Sequence, residues 1–82
     1  MQPAAINSTI LAAAAYDAHS ERLQLAFRDR TIYQYFGVPA DVYEALLRAP
    51  SKGRYFNLAI RGRFPYVPIP ILDSSQPDGQ PL

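Results

Sequence analysis

With 82 residues, eight lysines and arginines against seven aspartates and glutamates, and no cysteine, the chain makes one domain at most. The composition excludes a disulfide framework and a thiolate metal centre, and no apolar run nears the ~20 residues of a membrane-spanning helix. A domain this small buries only roughly 60% of the surface its unfolded chain exposes, so its core must come from Leu, Ile, Val, six Tyr and four Phe, with no Trp to help.

The net charge of +1 hides an asymmetry. All eight basic residues lie between Arg22 and Arg63, and Asp73 and Asp78 sit near the C-terminal end, so residues 1–66 carry eight basic against five acidic side chains, a net of +3. Arg48, Lys52, Arg54, Arg61 and Arg63 span a segment with no acid in it. Such a one-sided segment is a candidate contact for anions, although charge on a helix often marks only a solvated face.

Residues 1–7 form a loose lead-in. No positively charged region precedes the apolar run Ile10–Ala15, so "INSTILAAAAY" is not taken for a signal peptide. Ile10–Asp17 is ambiguous: four consecutive alanines favour helix by propensity, but eight residues make a poor isolated helix. A polar turn, "DAHSE", follows. Arg22–Phe27 alternates, with Leu23, Leu25 and Phe27 on one face, which is strand periodicity. Thr31–Phe36 is rich in β-branched and aromatic residues and predicts a second strand, the two forming an antiparallel hairpin.

Pro39 and Asp41 suit the start of a helix, in which Val42, Tyr43, Leu46 and Leu47 recur at helical spacing until Pro50. Ser51 is placed to cap a second helix, with Tyr55, Phe56, Ala59 and Ile60 as its apolar stripe and Gly62 as its terminator. Beyond Tyr66, "VPIPILDSSQPDGQPL" holds four prolines in sixteen residues. Residues 67–82 therefore read as an extended or disordered tail.

Taken in order, "STILAAAAYD", "LQLAF", "TIYQYFGVPADVYEALLRAPSKGRYFN" and "IRGRFPY" resemble the KTSC domain, over about Ser8 to Tyr66. That short bacterial domain is named for its place at the C-terminus of some lysyl-tRNA synthetases and also stands alone. The resemblance implies that the alanine stretch is a first strand ending at Tyr16-Asp17. It also implies a domain of unknown function, for which RNA binding is suggested by association with the synthetase. Two positions depart from the pattern. Arg30 replaces the usual turn glycine, which requires a positive φ at a cost near 1 kcal/mol. Leu58 and Ala59 stand where relatives are more polar or basic.

The register of the hairpin decides what Tyr33 and Tyr35 do. A two-residue Asp29-Arg30 loop pairs Phe27 with Ile32 and turns both tyrosines away from Leu23 and Leu25. A three-residue Arg28-Asp29-Arg30 loop sets Phe27 against Thr31 and puts both tyrosines with Leu23 and Leu25 in the core. The second is favoured because such loops end in a residue with positive φ, where the family has its glycine. On that reading Tyr33, Tyr35, Tyr55 and Phe56 are structural aromatics, and no exposed platform for stacking bases remains on the strand.

The sharpest binding candidate is "PSKGRYFN". Ser51, Lys52 and Gly53 would present backbone amides at a helix start beside positive charge, which suits phosphate, without the Gly-rich loop of a true P-loop. Arg54, Arg61 and Arg63 would extend that surface, with Tyr66 or Phe64 stacking nearby. The plainer reading is a capped helix with solvated charges. Catalytic readings are weak. His19, between Asp17 and Glu21, lacks the partners a general base or a metal site needs, and Ser8, Ser20 and Ser51 have no base partner.

The expected fold is α+β: a three-stranded antiparallel β-meander packed on one face by two short α-helices, with an extended Arg63–Tyr66 segment tucked against them. The expected function is a small non-catalytic binding module, without cofactor or metal, for RNA through a basic helix surface. The alternative is a protein–protein interaction module using the exposed sheet face or an edge strand. The chain is expected to be a cytoplasmic monomer with no membrane partner.

Overall fold

The computed structural model describes residues 3–6 and 8–70. The alternating and alanine-rich segments form an antiparallel sheet in simple sequential order: β1 (Pro3–Ala5), β2 (Leu11–Asp17), β3 (Arg22–Phe27), β4 (Ile32–Tyr35) and β5 (Tyr66–Pro68). The expected three-stranded meander is its centre. The two short outer strands were not anticipated: β1 falls in the supposed lead-in, and β5 takes in Val67 and Pro68, which had been assigned to the tail. The rest of the tail from residue 71 lies outside the described residues.

The alanine stretch is a strand because the sheet supplies what local propensity does not. Ala14 pairs with Leu25 and Tyr16 with Leu23, and a bulge between Leu11 and Ala13 brings Leu11 opposite Phe27. In the next hairpin Leu23 faces Tyr35, Leu25 faces Tyr33, and the Phe27 N–H donates to the Thr31 carbonyl at 2.8 Å. The loop is thus the three-residue Arg28-Asp29-Arg30. Arg30 accepts φ 75°, the left-handed conformation that glycine would adopt without strain.

One face of the sheet therefore gathers Leu11, Ala14, Leu23, Leu25 and Tyr35, all buried, and two helices cover it. The first, α1 (Ala40–Arg48), has Pro39 just outside it as N-cap rather than in its first turn. It buries Leu46 fully and lays Tyr43 against Tyr16, their rings stacked at 4.8 Å. The Tyr16 hydroxyl donates to the Val38 carbonyl at 2.6 Å and ties the entry of α1 to the sheet. Leu47, counted in the apolar stripe from spacing, points outward instead.

The second helix begins as α2 (Lys52–Tyr55), where the Ser51 hydroxyl accepts from the Arg54 N–H as anticipated. It then widens into a π turn over Phe56–Ile60, closed by the Arg61 N–H on the Phe56 carbonyl at 2.8 Å. Phe56 and Ile60 are buried, and Gly62 at φ 75° ends the helix.

The outer strands are anchored differently. Arg28 holds the segment before β2: its guanidinium donates to the Ser8 carbonyl at 2.8 Å and the Ile6 carbonyl at 3.1 Å. On the other side, the Phe36 N–H donates to the Pro65 carbonyl and the Ile69 N–H to the Ile32 carbonyl. By alternation, Pro65, Val67 and Ile69 turn their backbone groups toward β4, and Tyr66, Pro68 and Pro70 turn theirs outward. Likewise the Ile6 N–H bonds the Ala12 carbonyl, which leaves Pro3 and Ala5 facing away from β2.

Candidate functional site

The basic candidates separate into two places. Ser51, Lys52, Gly53 and Arg54 line one side of an open groove of about 560 Å³, whose other wall is Ser8, Thr9 and Ile10. This wall gives no sequence signal, because it is brought there by the β1–β2 connection that Arg28 pins. Gly53 is buried under Ile10, and a Cβ there would lie 2.8 Å from the Ile10 Cδ1. Its main chain is therefore packed on a side chain rather than open at the surface.

Lys52 is also partly committed. Its ammonium donates to the Ala49 carbonyl at 2.8 Å and satisfies the C-terminal end of α1. Ser51 spends its hydroxyl on the helix cap. Of the "SKG" set, Lys52 keeps its charge, the Ser51 hydroxyl is spent on the cap, and Gly53 carries Ile10 on its Cα side, while all three residues border the groove. Arg54 is exposed, and among the described residues its side chain makes no hydrogen bond within the protein.

Arg61 and Arg63 lie at the other end of the helix. Arg61 is exposed and reaches Asn57 Oδ1 at 3.4 Å, a long contact that leaves most of its donors free. It borders a second groove of about 380 Å³ together with Asn57, Phe27, Tyr33, Tyr35, Phe56 and Tyr66. Arg63 is exposed beyond it. Asn57 was not singled out from the sequence; it lies four residues before Arg61, a helical neighbour that shares its rim.

The aromatic motif is structural, in graded measure. Tyr35 is 4% exposed and meets the rings of Phe56 at 5.9 Å and Tyr66 at 5.4 Å. Tyr33 is half-buried, set edge-on to Phe27 and to Tyr66. Tyr55 is half-buried against the core at the foot of α2, and Phe56 is buried. Burial pushes the Tyr35 phenol above the ordinary value, with smaller contributions from Tyr66 and Tyr33. The Tyr16 phenol is raised as well, by desolvation first and then by the carboxylates of Glu21, Asp41, Asp17 and Glu44.

His19 lies in the exposed turn between β2 and β3, where its N–H donates to Asp17 Oδ1 at 3.0 Å. Among the described residues no group of three His, Cys, Asp or Glu side chains is placed to hold a metal ion. Nor is any helix among them long and apolar enough to cross a membrane.

A five-stranded meander with two short helices on one face and a bordering arginine set defines a small α+β module. The KTSC domain family matches residues 7–64, and the chain belongs to that family. A KTSC domain protein from Yersinia pestis, known from its crystal structure, superposes with a TM-score of 0.82 at 33% identity, covering 84% of this chain and 97% of that one. A protein of Tsukamurella paurometabola is 38% identical over 69 residues, 84% of this chain and the whole of its own length. The lysine–tRNA ligase of a Nostoc species is 47% identical over 51 residues, which is 62% of this chain but only 9% of the ligase.

Proposed function

We propose that this KTSC domain is a small non-catalytic module that binds RNA through phosphate contacts. The observation that carries the reading is the exposure of Arg54 at the start of the second helix and of Arg61 and Arg63 at its exit, with no acidic residue between Arg48 and Arg63. Lys52 adds charge at the head of the run while holding Ala49. Relatives in which a similar segment forms part of a lysine–tRNA ligase give the reading its context, and a cytoplasmic setting is proposed with it. Monomeric behaviour and independence from cofactors belong to the same proposal.

The test is a titration of the full chain with a structured RNA at two salt concentrations. Affinity should fall steeply with salt, and replacing Arg54 and Arg63 together by Gln should reduce the slope of log affinity against log salt by about 1.4–1.8, with little dependence on RNA sequence. Neither side chain makes a hydrogen bond within the described residues, so the fold should survive the change. Absence of salt-dependent binding at low ionic strength defeats the proposal.

A rival reading has its own observation. The helix-free face of the sheet is built of Ala13, Ala26, Ile32 and Val67 around Gln24 and Gln34, which suits a protein partner. If that face is the functional one, Ile32→Glu should abolish the partner's binding and the arginine changes should leave it intact.

A further inference from the structure

The rings of Phe27, Tyr33, Tyr35, Phe56 and Tyr66 meet largely edge to face, and they do not close on one another. Between the π turn and β4–β5 they leave a groove of about 380 Å³. That size lies within the range of small-ligand sites, and its plan is theirs: an aromatic interior with a few polar groups at the rim. The outermost ring, Tyr66, is 54% exposed. It is a large aromatic group that the folded domain leaves half in water.

The rim has a polarity. Arg61 and Asn57 border it from the helix, and Asp29 borders it from the hairpin tip. Asp29 Oδ1 accepts from both the N–H and the hydroxyl of Thr31, at 3.0 Å and 2.6 Å, and these bonds hold its carboxyl below the usual carboxylate range. The hairpin end of the groove is therefore anionic, and the helix end is cationic. At the helix end the π turn closes with the Arg61 N–H on the Phe56 carbonyl, and Phe56, Asn57 and Arg61 all border the groove there.

A matching occupant needs a flat aromatic body and an anionic group fixed to one end. We propose that the groove holds one unstacked nucleotide, its base against Tyr66 and its phosphate at Arg61. The inference rests on the RNA reading above and adds to it a site that arginines alone do not provide. A free mononucleotide and one residue of a single strand share this chemistry, and the test separates them.

Binding of the full chain would be measured by equilibrium dialysis with AMP and with ribose 5-phosphate, and by fluorescence anisotropy with a labelled tetraadenylate. AMP and the tetranucleotide should bind, and ribose 5-phosphate should bind at least tenfold more weakly because it has no base. Tyr66→Ala should weaken AMP about tenfold, the size of one base–aromatic stacking contact. Arg61→Gln, an exposed change that spares the rings, should weaken it by a similar factor. If AMP binds as predicted but the tetranucleotide binds no more tightly and without salt dependence, the groove stands as a free-nucleotide site and the RNA reading fails. If RNA binds and responds to Arg54 and Arg63 but not to Tyr66 or Arg61, the RNA reading stands and the groove proposal is overturned. Equal binding of AMP and ribose 5-phosphate also overturns it.

Discussion

Truncating Tyr35 to alanine is the sharpest test of the packing. The side chain is 4% exposed, lies opposite Leu23 across the β3–β4 ladder, and packs against Phe56 and Tyr66. Removing a large buried aromatic costs about 3–5 kcal/mol, transfer and cavity together. Two ring–ring contacts, each worth about 0.5–1.5 kcal/mol beyond area, argue for the upper half of that range. An 82-residue domain has roughly 4–12 kcal/mol of stability in total, so the expected loss of about 4 kcal/mol is a third of it or more. In urea unfolding followed by circular dichroism, with a slope of about 1–2 kcal/mol/M, the midpoint should fall by about 2–4 M. Tyr35→Phe keeps the ring and removes a hydroxyl that makes no hydrogen bond among the described residues, so it should cost less than about 1 kcal/mol. A midpoint shift below about 0.5 M for the alanine variant, or equal damage from the phenylalanine variant, would refute the assignment of Tyr35 to the core.

Two further outcomes test the backbone and the tyrosines. Arg30→Gly should stabilise the domain by a few tenths to about 1 kcal/mol in the same urea assay, because it relieves the left-handed strain at φ 75° and gives back part of the gain as unfolded-chain entropy. In an alkaline titration read by phenolate absorbance, Tyr16 and Tyr35 should ionise later than the ordinary value of 10.0, since both are raised chiefly by burial. The unfolded chain then releases protons before the folded one does, so stability should be unaffected below pH 10.0 and decline as pH rises past it. Tyrosines that all titrate together at the ordinary value would contradict the burial of these two.

Much of this architecture was legible in the sequence where a local rule and a long-range one agreed. The alternation of Leu23, Leu25 and Phe27 set one face, and the positive-φ position at Arg30 chose between the two registers that would place Tyr33 and Tyr35 on opposite sides. Ser51 and Gly62 marked the ends of the second helix for reasons confined to their own turns. The alanine stretch was legible only through its likeness to the family, because its strand state depends on partners Leu23 and Leu25 that no local window contains.

What escaped has the same explanation. Pro3–Ala5 lacks β-branched residues and alternation, and it is a strand only because Ala13–Ala15 lies beside it. The π turn leaves the apolar spacing of Phe56 and Ile60 intact, so nothing in the pattern separates it from an α turn. At the site, the charges could be counted but their commitments could not. Arg28 and Lys52 look as free as Arg54 in the sequence, yet each donates to carbonyls of a neighbouring segment.

The prolines on the outer strands have a consequence for assembly. Pro68 occupies an outward-facing position of β5, Pro70 the next such position beyond it, and Pro3 one on β1, so these residues offer no N–H where a further strand would seek one. Among the described residues of the two outer strands, an incoming chain would find only the Tyr66 amide on one border and the Ala5 amide on the other. Growth of the sheet from copy to copy, the route by which small exposed sheets polymerise, is therefore obstructed at both sides. A further strand seeking these borders loses a hydrogen bond at each proline, which favours approach to a face or a groove instead.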